Sequence, residues 1–329
     1  MRIDFHNHFY PPEYQKKLEA WGRRYEFTHD TNGLRIIKEK GTRFLGLTSQ
    51  MEHPEERIAD MDRIGIDLQV LTLSTPSVNF STRKRNLSLA KLTNDFFAKL
   101  CQKYPKRFTA FASVPLGNPE DAITELHRAV KDLGMKGVVL GTNIDGKHLH
   151  VKEFWPFYEE VEKLDVPIFL HPMVPYPPEI YSDIPVAVIG FLMDTTFTVT
   201  KMVYYGVFEK YPKLKMILPH SGGTIPFLWE RIDDGYRVFP DFKQTIPKVP
   251  SEYMKNFYFD TLTFHKPALR CLYQTVGADH MVLGSDYPHV IGSMSQSVSI
   301  IEELDIPQED KAKIFGGNGQ KILKLLTGC

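Results

Sequence analysis

Short runs of β-branched, aliphatic and aromatic residues recur along the chain. They alternate with longer stretches whose apolar residues repeat at three- and four-residue spacing. The runs predict strands at Ile3–His6, Leu68–Leu73, Phe108–Ser113, Gly137–Leu140, Pro167–Leu170, Lys215–Leu218, Phe257–Asp260 and Met281–Gly284. The intervening stretches predict helices at Pro54–Ile64, Leu87–Tyr104, Pro119–Leu133, Phe154–Leu164, Thr195–Tyr211, Ile225–Asp234, Pro267–Val276 and Gln308–Leu326. Pro54-Glu55-Glu56 makes a favourable first turn. Pro105 stops the second helix. Asn118 is a candidate N-cap for the third, with Pro119 at the first helical position and Gly134 beyond the end.

Eight strands and eight helices in strict alternation predict a parallel sheet with right-handed crossovers. Eight such units fit a closed (β/α)8 TIM barrel, one α/β domain over residues 1–329. An open doubly wound sheet is the alternative, against which stands the lack of a Gly-rich turn after the first strand. Residues 10–50, between the first strand and the first helix, far exceed an ordinary βα loop of ~2–6 residues. They predict an insertion over the barrel mouth with short elements of its own, substrate contacts and a subunit contact.

Composition narrows the function. Forty Lys and Arg balance forty Asp and Glu, which argues against broad phosphate neutralisation and so against a nucleic-acid partner. Hydrophobic residues at 42% and charged residues at 24% exclude wholesale disorder. Cys101, Cys271 and Cys329 are too few and too scattered for a disulfide framework and share no metal spacing. The most apolar stretch, Ile184–Met193, is broken by Pro185 and Gly190 and falls short of the ~20 residues of a membrane span. No apolar signal core follows Met1, so the expected location is the cytoplasm.

The chemistry lies at strand ends, where such a barrel builds its active site. His6-Asn7-His8 close the first strand, His171 the fifth, His220 the sixth and Asp286 the eighth. Residues two apart on a strand share a face, so His6 and His8 can both turn to the barrel axis. Three imidazoles and a carboxylate form a set suited to zinc, with room for a water or substrate oxygen. A second His-x-His, His148-Leu149-His150, sits in a Gly- and Lys-containing loop and is expected on the solvated surface. His29, His53, His127 and His280 are expected at surface or helix positions.

The order His-x-His, His, His, Asp on strands one, five, six and eight resembles the amidohydrolase superfamily of metal-dependent barrels. More narrowly, the chain is similar to the branch containing 2-amino-3-carboxymuconate-6-semialdehyde decarboxylase and related aromatic-acid decarboxylases. The likeness runs nearly end to end. It includes Ile3-Asp4-Phe5-His6-Asn7-His8, Glu56-Arg57-Ile58-Ala59-Asp60-Met61-Asp62, Tyr104-Pro105-Lys106-Arg107-Phe108 and the segment from Gly206 to Lys215. It continues through His220-Ser221-Gly222-Gly223, Leu283-Gly284-Ser285-Asp286-Tyr287-Pro288 and Gly317-Asn318.

The resemblance implies one metal per chain, zinc with manganese as the alternative, held by His6, His8, His171 and Asp286. It implies His220 as the catalytic acid/base, and Arg231 as a substrate-carboxylate ligand acting across a homodimer interface. A single metal also follows from strand four, which ends Val139-Leu140-Gly141-Thr142 without a bridging Lys or Glu. Two departures bear on substrate. A family arginine before the first helix falls near Thr48, with Arg43 a few residues earlier as a substitute, and an aromatic position after Asp286 is His289. His289, Phe191 and Tyr287 are candidate substrate residues, and Phe9 and Tyr10 candidate walls. Gly222 and Gly223 permit either close approach to a ligand or a tight turn into the next helix. The expected activity is non-oxidative decarboxylation of a small aromatic or unsaturated carboxylic acid. Hydrolysis of a lactone, ester or amide by the same centre is the alternative, and hydration of a double bond a third reading.

Overall fold

The computed structural model describes residues 1–325. Eight parallel strands carry the fold: β1 (Ile3–His8), β2 (Leu68–Thr72), β3 (Phe108–Ala110, continued by Ala112–Ser113), β4 (Val138–Gly141), β5 (Ile168–His171), β6 (Met216–Leu218), β7 (Phe257–Asp260) and β8 (Met281–Val282). Each pairs in parallel with the next. β3 breaks at Phe111, its first part pairing with β2 and its second with β4. Between β1 and β8, Phe5 N donates to the Leu283 carbonyl at 2.9 Å, and Asn7 bridges to Tyr287 in parallel. The fold is a (β/α)8 TIM barrel.

The strand cores are buried on both faces, which is why they read as unbroken apolar runs. Ile3, Phe5, Val70, Phe111, Val139, Phe169 and Ile217 pack together inside the barrel. The larger apolar layer lies between the strands and the surrounding helices.

The helices Pro54–Ile64, Arg83–Lys103, Pro119–Lys131, Trp155–Leu164, Ile225–Val238 and Lys266–Val276 follow their strands. Asn118 caps the third of these, its Oδ1 accepting from Asp121 N at 3.0 Å. Three elements depart most from the prediction. The helix after β5 starts at Gly190 and ends at Tyr204, because Gly206 at φ +80° breaks it from the short turn Val207–Lys210. A helix absent from the prediction, Met294–Glu302, completes the eighth βα unit. The terminal stretch is not one helix but Gln308–Ala312, a wide turn Lys313–Gly317 and Asn318–Ile322. It carries Ile322 and Leu323 into the cluster of Ile3 and Phe5. Leu326 and Cys329 lie outside the described residues.

Residues between β1 and the first barrel helix form the helix Pro12–Trp21 and an antiparallel sheet of Tyr25–His29, Arg35–Glu39 and Thr42–Leu47. This unit touches loops that follow two strands. Thr42 Oγ1 donates to the Pro178 carbonyl at 2.6 Å, and Thr48 Oγ1 to that of Pro288 at 3.3 Å. Among the described residues no helix is long and apolar enough to cross a membrane.

Candidate metal centre

Strict alternation along β1 would send Phe5 and His6 to opposite faces. A register shift between Asp4 and Asn7 resets it. Phe5 packs into the barrel core, and the His6 ring still reaches the Phe169 ring, centroids 5.2 Å apart. Bulges of this kind re-aim side chains beside active sites.

His6, His8, His171 and Asp286 converge there, all at most 4% exposed. Each offers one ligand atom, and the four atoms lie within 4.8 Å of one another. Asp286 Oδ1 is 3.2 Å from His6 Nε2 and 3.1 Å from His8 Nε2.

The far nitrogens are all engaged. His6 Nδ1 bonds Asp260 Oδ2 at 2.5 Å. Thr72 Oγ1 donates to the Asn7 carbonyl at 2.7 Å, so it accepts from His8 Nδ1–H at 3.0 Å. His171 Nδ1 donates to the Pro172 carbonyl at 2.8 Å. Such bonds would leave Nε2 of each ring to face an ion, and Ser74 Oγ lies 3.1 Å from that atom of His171. His6 Nε2 is buried without a hydrogen-bond partner, as a ligand nitrogen would be.

The electrostatics agree with a cation. Burial holds His8 and His171 well below the ordinary imidazole range, so both are neutral donors. Burial pulls on His6 as well, but the carboxylates of Asp286 and Asp260 outweigh it and raise it to about 10. Asp286 is desolvated too, yet the charge of His6 and hydrogen bonds keep it well below the usual carboxylate range. Three imidazoles and one carboxylate, converging within 4.8 Å, are a donor set that fits one divalent ion. Gly141 and Thr142, at the end of β4, add no ligand, and the Thr142 hydroxyl is taken by Asp194.

His220 stands beside this cluster, with Nε2 3.9 Å from Asp286 Oδ2 and a buried, unpartnered Nδ1. His220, Ser221 and Asp286 have φ of +52°, +56° and +56°, a region rare for side-chain-bearing residues and often held at functional sites. Gly222 is needed for packing. A Cβ there would come within 2.5 Å of the Phe259 ring.

Two cavities open on His220 and Asp286. One of about 290 Å³ is lined by Arg43, Phe44, Leu45, Phe191, His289 and Ile291, among others. The other, about 390 Å³, is lined by Ser221, Phe227, Phe264, Cys271 and Leu272. Phe191 lies 6.1 Å from the His171 ring and His289 4.9 Å from that of His8. Burial holds His289 below the ordinary imidazole range.

Other candidates fall elsewhere. Tyr287 lines neither cavity: its hydroxyl donates to Asp60 at 2.7 Å and its ring packs on Arg57. Phe9 is core, packed on Phe96 and Phe97, and the Tyr10 hydroxyl is spent on the Thr75 carbonyl. Arg231 is exposed on its helix and lines neither cavity. It forms no ion pair among the described residues, because Arg237 takes Glu230 and Asp234 while Asp233 holds Ser251. His148 and His150 are half-buried rather than solvated, with the His150 ring 4.2 Å from that of Tyr205 and tilted by 41°. His29 and His53 are exposed, His127 pairs with Glu160 and His280 bonds the Phe257 carbonyl. Sequence reasoning passed over Asp260 and Thr72. Their signal was the same as for the four clustered residues, a polar side chain closing an apolar strand.

A family model described as Amidohydrolase matches residues 3–325. The chain is 30% identical over 331 residues to a 2-amino-3-carboxymuconate-6-semialdehyde decarboxylase of Dictyostelium discoideum, covering 99% of this chain and 92% of that one. It is 33% identical over 291 residues to a gamma-resorcylate decarboxylase of Polaromonas sp., covering 82% and 87%. A solved dihydroxybenzoic acid decarboxylase of Polaromonas sp., with bound manganese and the inhibitor 2-nitroresorcinol, matches with a TM-score of 0.82 at 26% identity. That match covers 99% of this chain and 98% of the solved one.

Proposed function

The chain belongs to the amidohydrolase family, and from that premise we propose its reaction: metal-dependent, non-oxidative decarboxylation of a small aromatic or unsaturated carboxylic acid. The observation that carries it is the convergence of three imidazoles and a carboxylate, with His220 beside them, at the floor of an apolar cavity. His6, His8, His171 and Asp286 hold the ion, and we assign one zinc per chain. Imidazole-rich sets suit zinc, and the manganese in the solved Polaromonas relative makes that ion the one to compare. When bound, the ion supplies Lewis-acid polarisation of a substrate oxygen.

The remaining chemistry belongs to the chain. Phe44, Leu45, Phe191 and Ile291 wall a flat substrate and exclude water. Arg43 and His289 supply the polar contacts of that cavity, and through Arg43 the segment 10–50 covers the barrel mouth. His220 delivers the proton from Nε2 to the carbon that bears the carboxylate, forming a C–H bond. The bond to the carboxylate carbon then breaks, its electron pair returns to the unsaturated system, and carbon dioxide leaves. His220 regains its proton from solvent. Asp286, 3.9 Å away, steadies the imidazolium.

We propose a homodimer in the cytoplasm in which Arg231 serves the partner's site. That it forms no ion pair among the described residues supports this. So does the apolar surface on and beside the same helix, where Phe227, Val238 and Phe239 are 84%, 69% and 58% exposed.

The test is purified protein loaded with zinc or manganese and offered hydroxybenzoates, aminobenzoates and muconate-type acids. One metal per chain and carbon dioxide release are expected. His220→Ala should keep the metal and lose turnover by ~10²–10⁴-fold. Full metal with no carbon dioxide from any acid moves the assignment to lactone, ester or amide hydrolysis. Protein that retains neither metal overturns the reading.

A further inference from the structure

Behind the metal cluster, between the barrel wall and the helix layer, runs a chain of polar side chains with no exposed surface: Arg57, Gln69, Asp4, Asn7 and Ser285. Arg57 Nη1 donates to Gln69 Oε1 at 3.0 Å and to Asn7 Oδ1 at 3.1 Å. Nη2 donates to the backbone carbonyl of His8, and to that of Gln50 at 3.3 Å. The guanidinium lies against the rings of Tyr287 and Phe9, 4.8 and 5.2 Å from their centroids, and Nε alone lacks a partner. Gln69 passes the connection on, its Nε2 donating to Asp4 Oδ2 at 2.9 Å. Asp4 also accepts from Ser285 Oγ at 2.7 Å, from Ser285 N at 3.2 Å and from His6 N at 3.1 Å.

The termini of this chain are residues of the metal centre. One end grips the carbonyl of His8. The other grips the amide of His6 and the residue before Asp286, whose own amide bonds the His6 carbonyl at 2.7 Å. The span in between is where β1 shifts register, so the side chains take up backbone groups that the strand ladder there does not hold evenly. A buried cation and a buried anion joined only through an amide form an expensive way to fill space, and apolar residues of equal volume commonly stabilise more. Their use here calls for a positional reason.

We infer that Arg57, Gln69 and Asp4 are positioning residues for the metal centre: together they fix the peptide planes from which His6, His8 and Asp286 project. The inference rests on the metal-centre reading above. Residues behind a ligand set typically contribute 10–100-fold in metal affinity.

The test is zinc affinity by chelator competition, with the visible spectrum of the cobalt-substituted protein as a report on ligand geometry. Both are measured on wild type, Gln69→Leu and Asp4→Asn, together with the thermal midpoint of each metal-free protein. Gln69→Leu cuts the middle link, and Asp4→Asn keeps size while removing charge, so the second serves if the first does not fold. Zinc affinity weakened ~10–100-fold with an altered cobalt spectrum is expected. A lower midpoint with affinity within twofold of wild type and an unchanged spectrum would mean a merely structural network and overturn the inference. Wild type that takes up no zinc overturns the metal-centre reading itself, a distinct result.

Discussion

An imidazole is aimed by whatever holds one of its nitrogens, and for His6 that group is Asp260. One oxygen receives His6 Nδ1 at 2.5 Å, while the other accepts from Ser221 N at 2.8 Å and Leu262 N at 3.0 Å. The same carboxylate therefore orients the His6 ring and fixes the turn that carries His220. Asp260→Asn should weaken metal binding ~10–100-fold, because an amide nitrogen facing Nδ1 opposes the tautomer that leaves Nε2 free. Chelator competition measures it, and affinity equal to wild type would refute the role. Nothing in composition marks Asp260 among forty acidic residues. Its position closing the seventh strand does, on the logic that located Asp286. Tyr287 is the converse case. An aromatic beside a ligand reads as a substrate wall, and the sequence gives no sign that a buried guanidinium from the helix Pro54–Ile64 occupies its ring.

Elements were legible where local and tertiary preferences agree. Parallel strands covered on both faces need continuous apolar runs, and their ends need polar groups. Helices with explicit end signals were equally plain, and the cap at Asn118 allows a measured check. Asn118→Ala should cost about 1 kcal/mol of stability in urea unfolding while leaving turnover unchanged. A loss under a few tenths of a kcal/mol would mean that the Asp121 amide finds another acceptor. Where preferences conflict, the pattern misleads. Met294–Glu302 carries Ser295, Ser297 and Ser299, weak helix formers, yet it forms because Ser293 caps Gln296 N and Ile300 and Ile301 bury. The shift in β1 is illegible for a related reason. Period-two alternation is satisfied on each side of it, and only the pairing with the neighbouring strand shows where the phase changes.

At the scale of the whole molecule, the centre exists only once the barrel closes. His8 and Asp286 are 278 positions apart and meet across the seam between β1 and β8. Of the residues lining the cavities above them, Arg43 is the one with a fixed positive charge, and its Nη1 already lies 3.6 Å from Asp30. Arg231 has the converse problem, a charge with no ion pair among the described residues, on a helix that also exposes Phe227 and Val238. A two-fold dimer solves both at once if each Arg231 enters the partner's site. The consequence is complementation. His220→Ala and Arg231→Ala should each be nearly inactive alone. In an equal mixture with free subunit exchange, half the dimers pair unlike chains, and each such pair has one site with both His220 and the partner-supplied arginine intact. Activity should therefore return to about a quarter of wild type. Mass spectrometry establishes that exchange has occurred. Exchange without recovered activity would confine Arg231 to its own chain, and a monomer in sedimentation would remove the interface altogether.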